Sequence, residues 1–349
     1  MSRIRSALLF VFLALFSIPS YAQDSFKVCW SIYAGWMPWD YGAKSGIVKK
    51  WADKYKIRID VVQINDYVES INQYTAGKFD GCTMTNMDAL TIPAAGGVDS
   101  TALVVGDFSN GNDGVVLKGK TSLKDIKGQK VNLVQLSVSH YLLARALSTV
   151  GMSEKDISVV NTSDADLVAV YGSKDVSAAV TWNPLLSEIK SVPGSHEVFN
   201  SSQIPGEIID LMVVNTETLK KNPAFGKALT GAWYEIMAGM QGKDAKAVAA
   251  RTDMAKASGT DLKGYDAQLA TTKMFYDAAS AVAFTNGPKL KDTMKYVAEF
   301  SFAHGLLGDG AKDAGVIGVQ TPAGVYGNPA RVKLRFDPSY MKMAADGKL

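Results

Sequence analysis

Gln129–Ile189, QKVNLVQLSVSHYLLARALSTVGMSEKDISVVNTSDADLVAVYGSKDVSAAVTWNPLLSEI, decides the fold class. An apolar run (131–134) leads into a stretch with helical spacing that Gly151 closes. The strand-like Ile157–Ser163 follows, then a second helical stretch from Asp164, the strand-like 176–182, and a third helix after Asn183-Pro184. Strand and helix alternate, the order of a mostly parallel sheet covered by helices on both faces. The same order precedes this segment: strands over Phe26–Tyr33, Ile57–Ile64, Phe79–Asn86 and Ser100–Phe108, with helices between them. Phe79–Asn86 and Val176–Asn183 align at one offset, and both end on Asn. The chain therefore reads as two α/β lobes.

After Asp210 comes one more strand, then helical periodicity without strand partners through about Gly308. The economical arrangement returns this part to the first lobe, with crossings between lobes near Val116–Lys120 and Leu211–Asn215. Residues 23–117 plus 213–310 then form lobe 1 and 118–212 lobe 2. The Gly- and Pro-rich residues 311–349 form an extension wrapped on the surface.

At the N-terminus, Arg3 and Arg5 precede an apolar run, Ala7–Ile18, and the small-residue order Ser20-Tyr21-Ala22. This is the pattern of a cleaved secretory leader over residues 1–22, and a periplasm-like location is expected. The rest has the composition of a globular chain, 47% hydrophobic and 20% charged,. A net charge of +3 without a basic run interleaved with aromatics excludes a nucleic-acid platform,. Cys29 and Cys82 both fall in segments that read as strands. They can form a disulfide if those strands are neighbours, and a small buried Cys fits such positions equally well.

Two lobes joined by two crossings enclose a cleft, and open α/β sheets bind ligands beyond the carboxyl ends of their strands. Those ends carry the chemistry here. In lobe 1 they are SIYAGWMPWDYG, Ser31–Gly42, with Tyr33, Trp36, Trp39 and Asp40; Thr85, Asn86 and Asp88; and the Asp107–Asp113 turn. In lobe 2 they are Ser137 and His140, Asp164, and Trp182 with Asn183. Glu207 and Asp210 precede the second crossing.

The pieces GQKV, SVSHYLLARAL and AAVTWNP resemble the second lobe of periplasmic substrate-binding proteins of the nitrate/sulfonate/taurine class of ABC importers, and the resemblance covers nearly the whole chain after the leader. It implies a type II periplasmic-binding-protein fold, a small-molecule ligand captured by hinge closure, an ABC permease as partner, and a monomer with no cofactor, no metal and no catalytic activity. VCWSIYAGWMPWDYG and DGCTMTNMDAL are similar to the subgroup associated with urea carboxylase gene regions, which implies urea or guanidinium as ligand.

The residues themselves favour a flat cation. An anion calls for Arg forks or free backbone N–H groups, yet the five arginines beyond the leader, Arg58, Arg145, Arg251, Arg331 and Arg335, lie away from the strand ends. Carboxylates beside Tyr33, Trp36, Trp39 and Trp182 suit a planar N–H-rich cation, each aromatic face adding about 0.5–2 kcal/mol when desolvated. The candidate ligand-binding residues are Trp36, Trp39, Asp40, Thr85, Asn86, Asp88, Ser137, His140, Trp182, Asn183, Glu207 and Asp210. Each has a structural reading as well: Asp40 as a helix cap, the tryptophans as packing, Asp88 as complement to a helix dipole, Ser137 as a cap, Glu207 and Asp210 in hinge salt bridges. Two alternatives stay open: an anion at the helix start after Ser137, and a pyrimidine-forming enzyme of this fold using His140. The three histidines, His140, His196 and His304, show no metal-ligand spacing along the chain.

Overall fold

The computed structural model describes residues 23–349; the expected leader, 1–22, lies outside them. Fourteen strands form two sheets. Strands β1 (Ser25–Trp30), β2 (Arg58–Gln63), β3 (Gly81–Thr85) and β4 (Ser100–Ser109) belong to the larger sheet. Strands β5 (Asp113–Lys118), β6 (Lys130–Leu133), β7 (Ser158–Asn161), β8 (Ala178–Trp182) and β9 (Ser195–Asn200) make the smaller one, in the order β7-β6-β8-β5-β9. The chain then returns to the larger sheet with β10 (Ile209–Asn215), β11 (Thr272–Met274), β12 (Gly318–Thr321), β13 (Gly324–Tyr326) and β14 (Val332–Phe336). Its order is β13-β12-β14-β4-β10-β3-β1-β2, with β11 added to β4.

The changes of sheet fall at 109–113 and 200–209, some residues before the expected crossings. Residues 113–118 and 209–215 therefore pair inside a sheet instead of bridging two. This also makes both sheets mixed. β1–β2, β1–β3, β4–β14, β12–β14, β6–β7 and β6–β8 run parallel, whereas β10 is antiparallel to both neighbours, as is β5. β3, β4, β8 and β10 are almost wholly buried, which explains their continuous apolar runs,. β2, at the sheet's edge, is only partly buried and carries Arg58 and Asp60,.

Residues 311–349 differ from expectation. They contribute strands to the larger sheet through β14 on β4, bury Leu334 and Phe336, and set Met341 beneath Val105. The VxLxF alternation of β14 is a half-buried strand period that the flanking Gly and Pro residues mask. Among the described residues no helix is long and apolar enough to cross a membrane.

Cys29 and Cys82 are register partners on the adjacent parallel strands β1 and β3, with Cα atoms 4.4 Å apart, and form a disulfide. A loop of about 53 residues closed this way is worth about 4 kcal/mol in the chain-entropy account,. Urea unfolding of the Cys29→Ala/Cys82→Ala double variant is expected to show about 2–4 kcal/mol less stability than the oxidised protein, with no free thiol titrating in denatured wild type. Equal stability, or two reactive thiols, would refute the bridge.

Candidate functional site

The strand ends converge on one enclosed cavity. After β1, the N–H groups of Trp36 and Met37 both donate to the Tyr33 carbonyl (2.9 and 3.1 Å), and this turn starts the helix Met37–Lys44 with Pro38 in its first turn. The turn sends Tyr33 and Trp36 inward. Gly35 has to be small: a Cβ there would lie 2.5 Å from the Tyr33 ring and 2.7 Å from the Asp107 carboxyl. Tyr67 opens the helix Tyr67–Thr75 beyond β2, and Thr85 ends β3. From the smaller sheet come Asp113 at the start of β5, Val138 at the start of the helix Val138–Thr149, and Trp182 at the end of β8. Ile208 and Asp210, at the second crossing, complete the lining.

Four aromatic rings wall this space. Trp36 meets Tyr33 edge-on at 5.0 Å between centroids and Tyr67 at 5.7 Å, and Tyr67 meets Trp182 edge-on at 5.5 Å. The cavity is about 10 Å³, about the space of one water molecule, so a larger planar solute needs the surrounding rings to shift,. Three hydrogen bonds shut it from two sides: Trp182 Nε1–H to the Ile32 carbonyl (3.2 Å), Ala34 N–H to the Asn183 carbonyl (3.3 Å) and Tyr67 N–H to Asp164 (3.4 Å).

The polar groups are acids. Asp113 and Asp210 line the cavity, and no Arg, Lys or His does among the described residues. Asp107 lies opposite Asp210 in the β4–β10 register and receives the Tyr33 hydroxyl at 2.7 Å. Burial pushes Asp107 up to about 7, against hydrogen bonds from Asp210 and Tyr33. Burial also raises Asp113 to about 7 and Asp210 well above the carboxylate range, Asp210 being lifted further by Asp107. Behind Tyr67 and Thr85, Asp88 accepts from both hydroxyls (2.7 and 2.8 Å); burial lifts it to about 6. The Val138 N–H also acts on Asp88, so the start of that helix is met by a carboxyl group. Among the described residues, the buried Trp36 Nε1–H has no acceptor.

Of the sequence-stretch candidates, Trp36, Thr85, Trp182 and Asp210 therefore meet at the cavity, with Asp88 directly behind. The others are placed elsewhere. Trp39 is in the core, stacked on Trp233 at 5.0 Å. Asp40 pairs outside with Lys44 (2.6 Å), its i+4 neighbour,. Asn86 braces the second crossing, donating to the Glu207 carbonyl (3.1 Å) and accepting from Ile209 N–H (3.0 Å). Ser137 caps its helix, accepting from Ser139 N–H. Asn183 accepts from Ser187 and donates to Thr271. Glu207 takes an Arg145 fork (2.8 and 3.0 Å) and the Tyr141 hydroxyl (2.6 Å).

His140 turns away from the cavity to Glu154, which His304 also reaches. The fold thus brings together two histidines and a carboxylate that are far apart in sequence, with ligand atoms within 4.8 Å. The Leu136 N–H donates to His140 Nδ1 (3.0 Å), which puts the ring proton on Nε2, facing Glu154,. That arrangement makes His140 a hydrogen-bond donor there and leaves no lone pair for a metal. Burial opposes ionisation of Glu154, but the two imidazoles outweigh it and hold the carboxyl at about 2.

Tyr33, Tyr67, Asp113, Val138 and Ile208 line the cavity but stand outside the candidate set, although Tyr33 and the Asp107–Asp113 turn fall at the strand ends read from the sequence. Tyr67 follows the carboxyl end of β2, so the same strand-end rule identifies it; its position inside an amphipathic helical stretch hid it.

The model of the NMT1/THI5-like family matches residues 53–241, more than half of the chain. A protein of Brucella abortus (strain 2308) described as a binding protein is 32% identical over 139 residues, 39% of this chain and 43% of that one. The taurine-binding periplasmic protein of Escherichia coli K12 is 24% identical over 130 residues, 36% of this chain and 40% of that one. The chain thus spans less than half the length of these curated relatives. In structure it is similar to the alkanesulfonate-binding protein of Xanthomonas axonopodis pv. citri, with a TM-score of 0.67 at 14% identity over 83% of this chain and 96% of that one. The shared architecture is the periplasmic-binding-protein fold, and the chain belongs to the NMT1/THI5-like family.

Proposed function

We propose that the protein is a periplasmic solute-binding component of an ABC importer, and that it captures a small, flat, nitrogen-rich solute, guanidinium first and urea second. The observation that carries this reading is the cavity itself: aromatic faces on Tyr33, Trp36, Tyr67 and Trp182, carboxyl groups on Asp113 and Asp210, and no basic side chain in the lining among the described residues. Buried carboxyl groups without a cationic partner are costly. A guanidinium would supply the missing charge, satisfy the acids along its N–H edges, and present its faces to the rings. The relatives named for taurine and an alkanesulfonate bind solutes that carry a sulfonate. That chemistry is a poor match to these acids, and the helix start that would receive an anion faces Asp88. In the enzyme alternative His140 would act on the ligand, but it is engaged with Glu154.

In this reading lobe 1 comprises residues 23–109 and 209–349, lobe 2 comprises 113–200, and the solute bridges groups from both. The closed state gains only through contacts that exist when both lobes touch the solute. Residues 1–22 act as the export leader, and the disulfide suits an oxidising compartment,. The protein works as a monomer delivering to a permease.

Calorimetric titration of ligand-stripped protein with guanidinium, urea, nitrate and taurine tests this. Guanidinium is expected to bind, more weakly as salt rises, and Asp210→Asn and Trp182→Ala should each cost at least about tenfold, or 1.4 kcal/mol. Asp40→Asn should change the affinity less than about twofold, its carboxyl being outside the cavity. Heat only from nitrate or taurine would overturn the reading. A second expectation concerns Gly35→Ala: it should weaken guanidinium binding by displacing Tyr33 and, as overpacking of a buried site, cost about 1–3 kcal/mol of stability,. Unaltered affinity would show that the Tyr33 position is not critical.

A further inference from the structure

This inference rests on the proposed cationic ligand and concerns what the site holds without it. Asp107 on β4 and Asp210 on β10 are directly opposed across an antiparallel pair, and both are buried, at 0% and 4% exposure. Carboxyl groups placed so closely, out of water, cannot both be ionised. The groups around them offer no counter-charge. Tyr33 donates its hydroxyl to Asp107 (2.7 Å) and lies 3.2 Å from the Thr272 hydroxyl. From β5, Asp113 adds like charge, and Asp88 acts on Asp113 in turn. Tyr265 and Tyr276 feel Asp107 from the helical side. Arg251, which acts on both tyrosines, is committed to Asp266 (2.7 Å) and to the carbonyls of Met240 and Gly242 (2.6 and 2.8 Å).

We propose that the Asp107–Asp210 pair holds both of its protons in the ligand-free protein and releases one to solvent when a cation enters, the other staying shared between the two carboxyls, so that capture of one cation is coupled to loss of about one proton. The incoming charge takes the place of the departing one, and the buried site keeps its charge balance. A neutral solute such as urea leaves the pair with both protons. The pair thereby becomes a device for telling the two apart, with Asp107 acting through Asp210 as a positioning residue that does not line the cavity.

The sign follows from the raised ionisation of the pair, Asp107 being lifted to about 7 chiefly by burial. Below that pH the proton must be displaced, so apparent affinity for guanidinium should rise about tenfold per pH unit between about pH 5 and 7 and level off above. Guanidinium keeps its charge throughout this range.

Titration of the wild-type protein with guanidinium at pH 6, in buffers of different ionisation enthalpy, counts the protons directly. A slope near one proton released per guanidinium, and near zero for any urea bound, is the expected result. Guanidinium heat with no proton release overturns the coupling while leaving the ligand class intact. No guanidinium binding from pH 6 to 8 overturns the ligand class and the coupling together. Asp107→Asn should bind guanidinium with much less proton release; full release in that variant would overturn the assignment to this pair. Should the variant not fold, the wild-type slope decides alone.

Discussion

Burying acid without base is the constraint around which this molecule is organised. Asp88, Asp107, Asp113 and Asp210 are each 4% exposed or less. Among the described residues, no lysine or arginine lines the cavity beside them. A buried carboxylate costs several kcal/mol unless paired, and the structure offsets that cost only in part, through the hydroxyls of Tyr33, Tyr67, Thr85 and Ser109. Such a site stays incomplete until something supplies positive charge or a proton.

The fold creates this condition through its crossings. β4 runs into β5 and β9 into β10 with few residues between, so the acids at these junctions sit where both sheets meet. Asp107 and Asp210 face each other because β10 lies antiparallel to β4, and Thr85 reaches the same point because it is Asp210's partner on β3. The rings come from the loops at the strand ends, with Trp36 from one sheet's side and Trp182 from the other's. The Arg145–Glu207 fork and the Glu154–His304 contact lie outside the cavity lining.

Much of this was legible in the sequence. Strand–helix alternation indicated α/β lobes, and the strand-end rule reached Trp36, Thr85, Trp182 and Asp210. It misjudged residues whose surroundings are set by distant partners. Trp39 carries the same local signal as Trp36, but the helix turn points it at Trp233, nearly two hundred residues on. Asp107 and Asp113 resemble turn flanks until the β4–β10 register sets Asp107 opposite Asp210 and the β5–β8 register sets Asp113 opposite Trp182. Asp40 is the opposite case, since Lys44 at i+4 already marked it as a surface ion pair. His140 and His304 meet only because the helix Lys289–Ala303 returns to the cleft, a contact that local spacing cannot reveal.

The most direct test of the central claim is a crystal structure of the protein grown with guanidinium chloride. The account predicts a flat, trigonal density between the Trp36 and Trp182 rings, with its nitrogens about 2.7–2.9 Å from the Asp210 and Asp113 oxygens. An anion in that position, or guanidinium found only at the surface while the cavity stays closed, would contradict it.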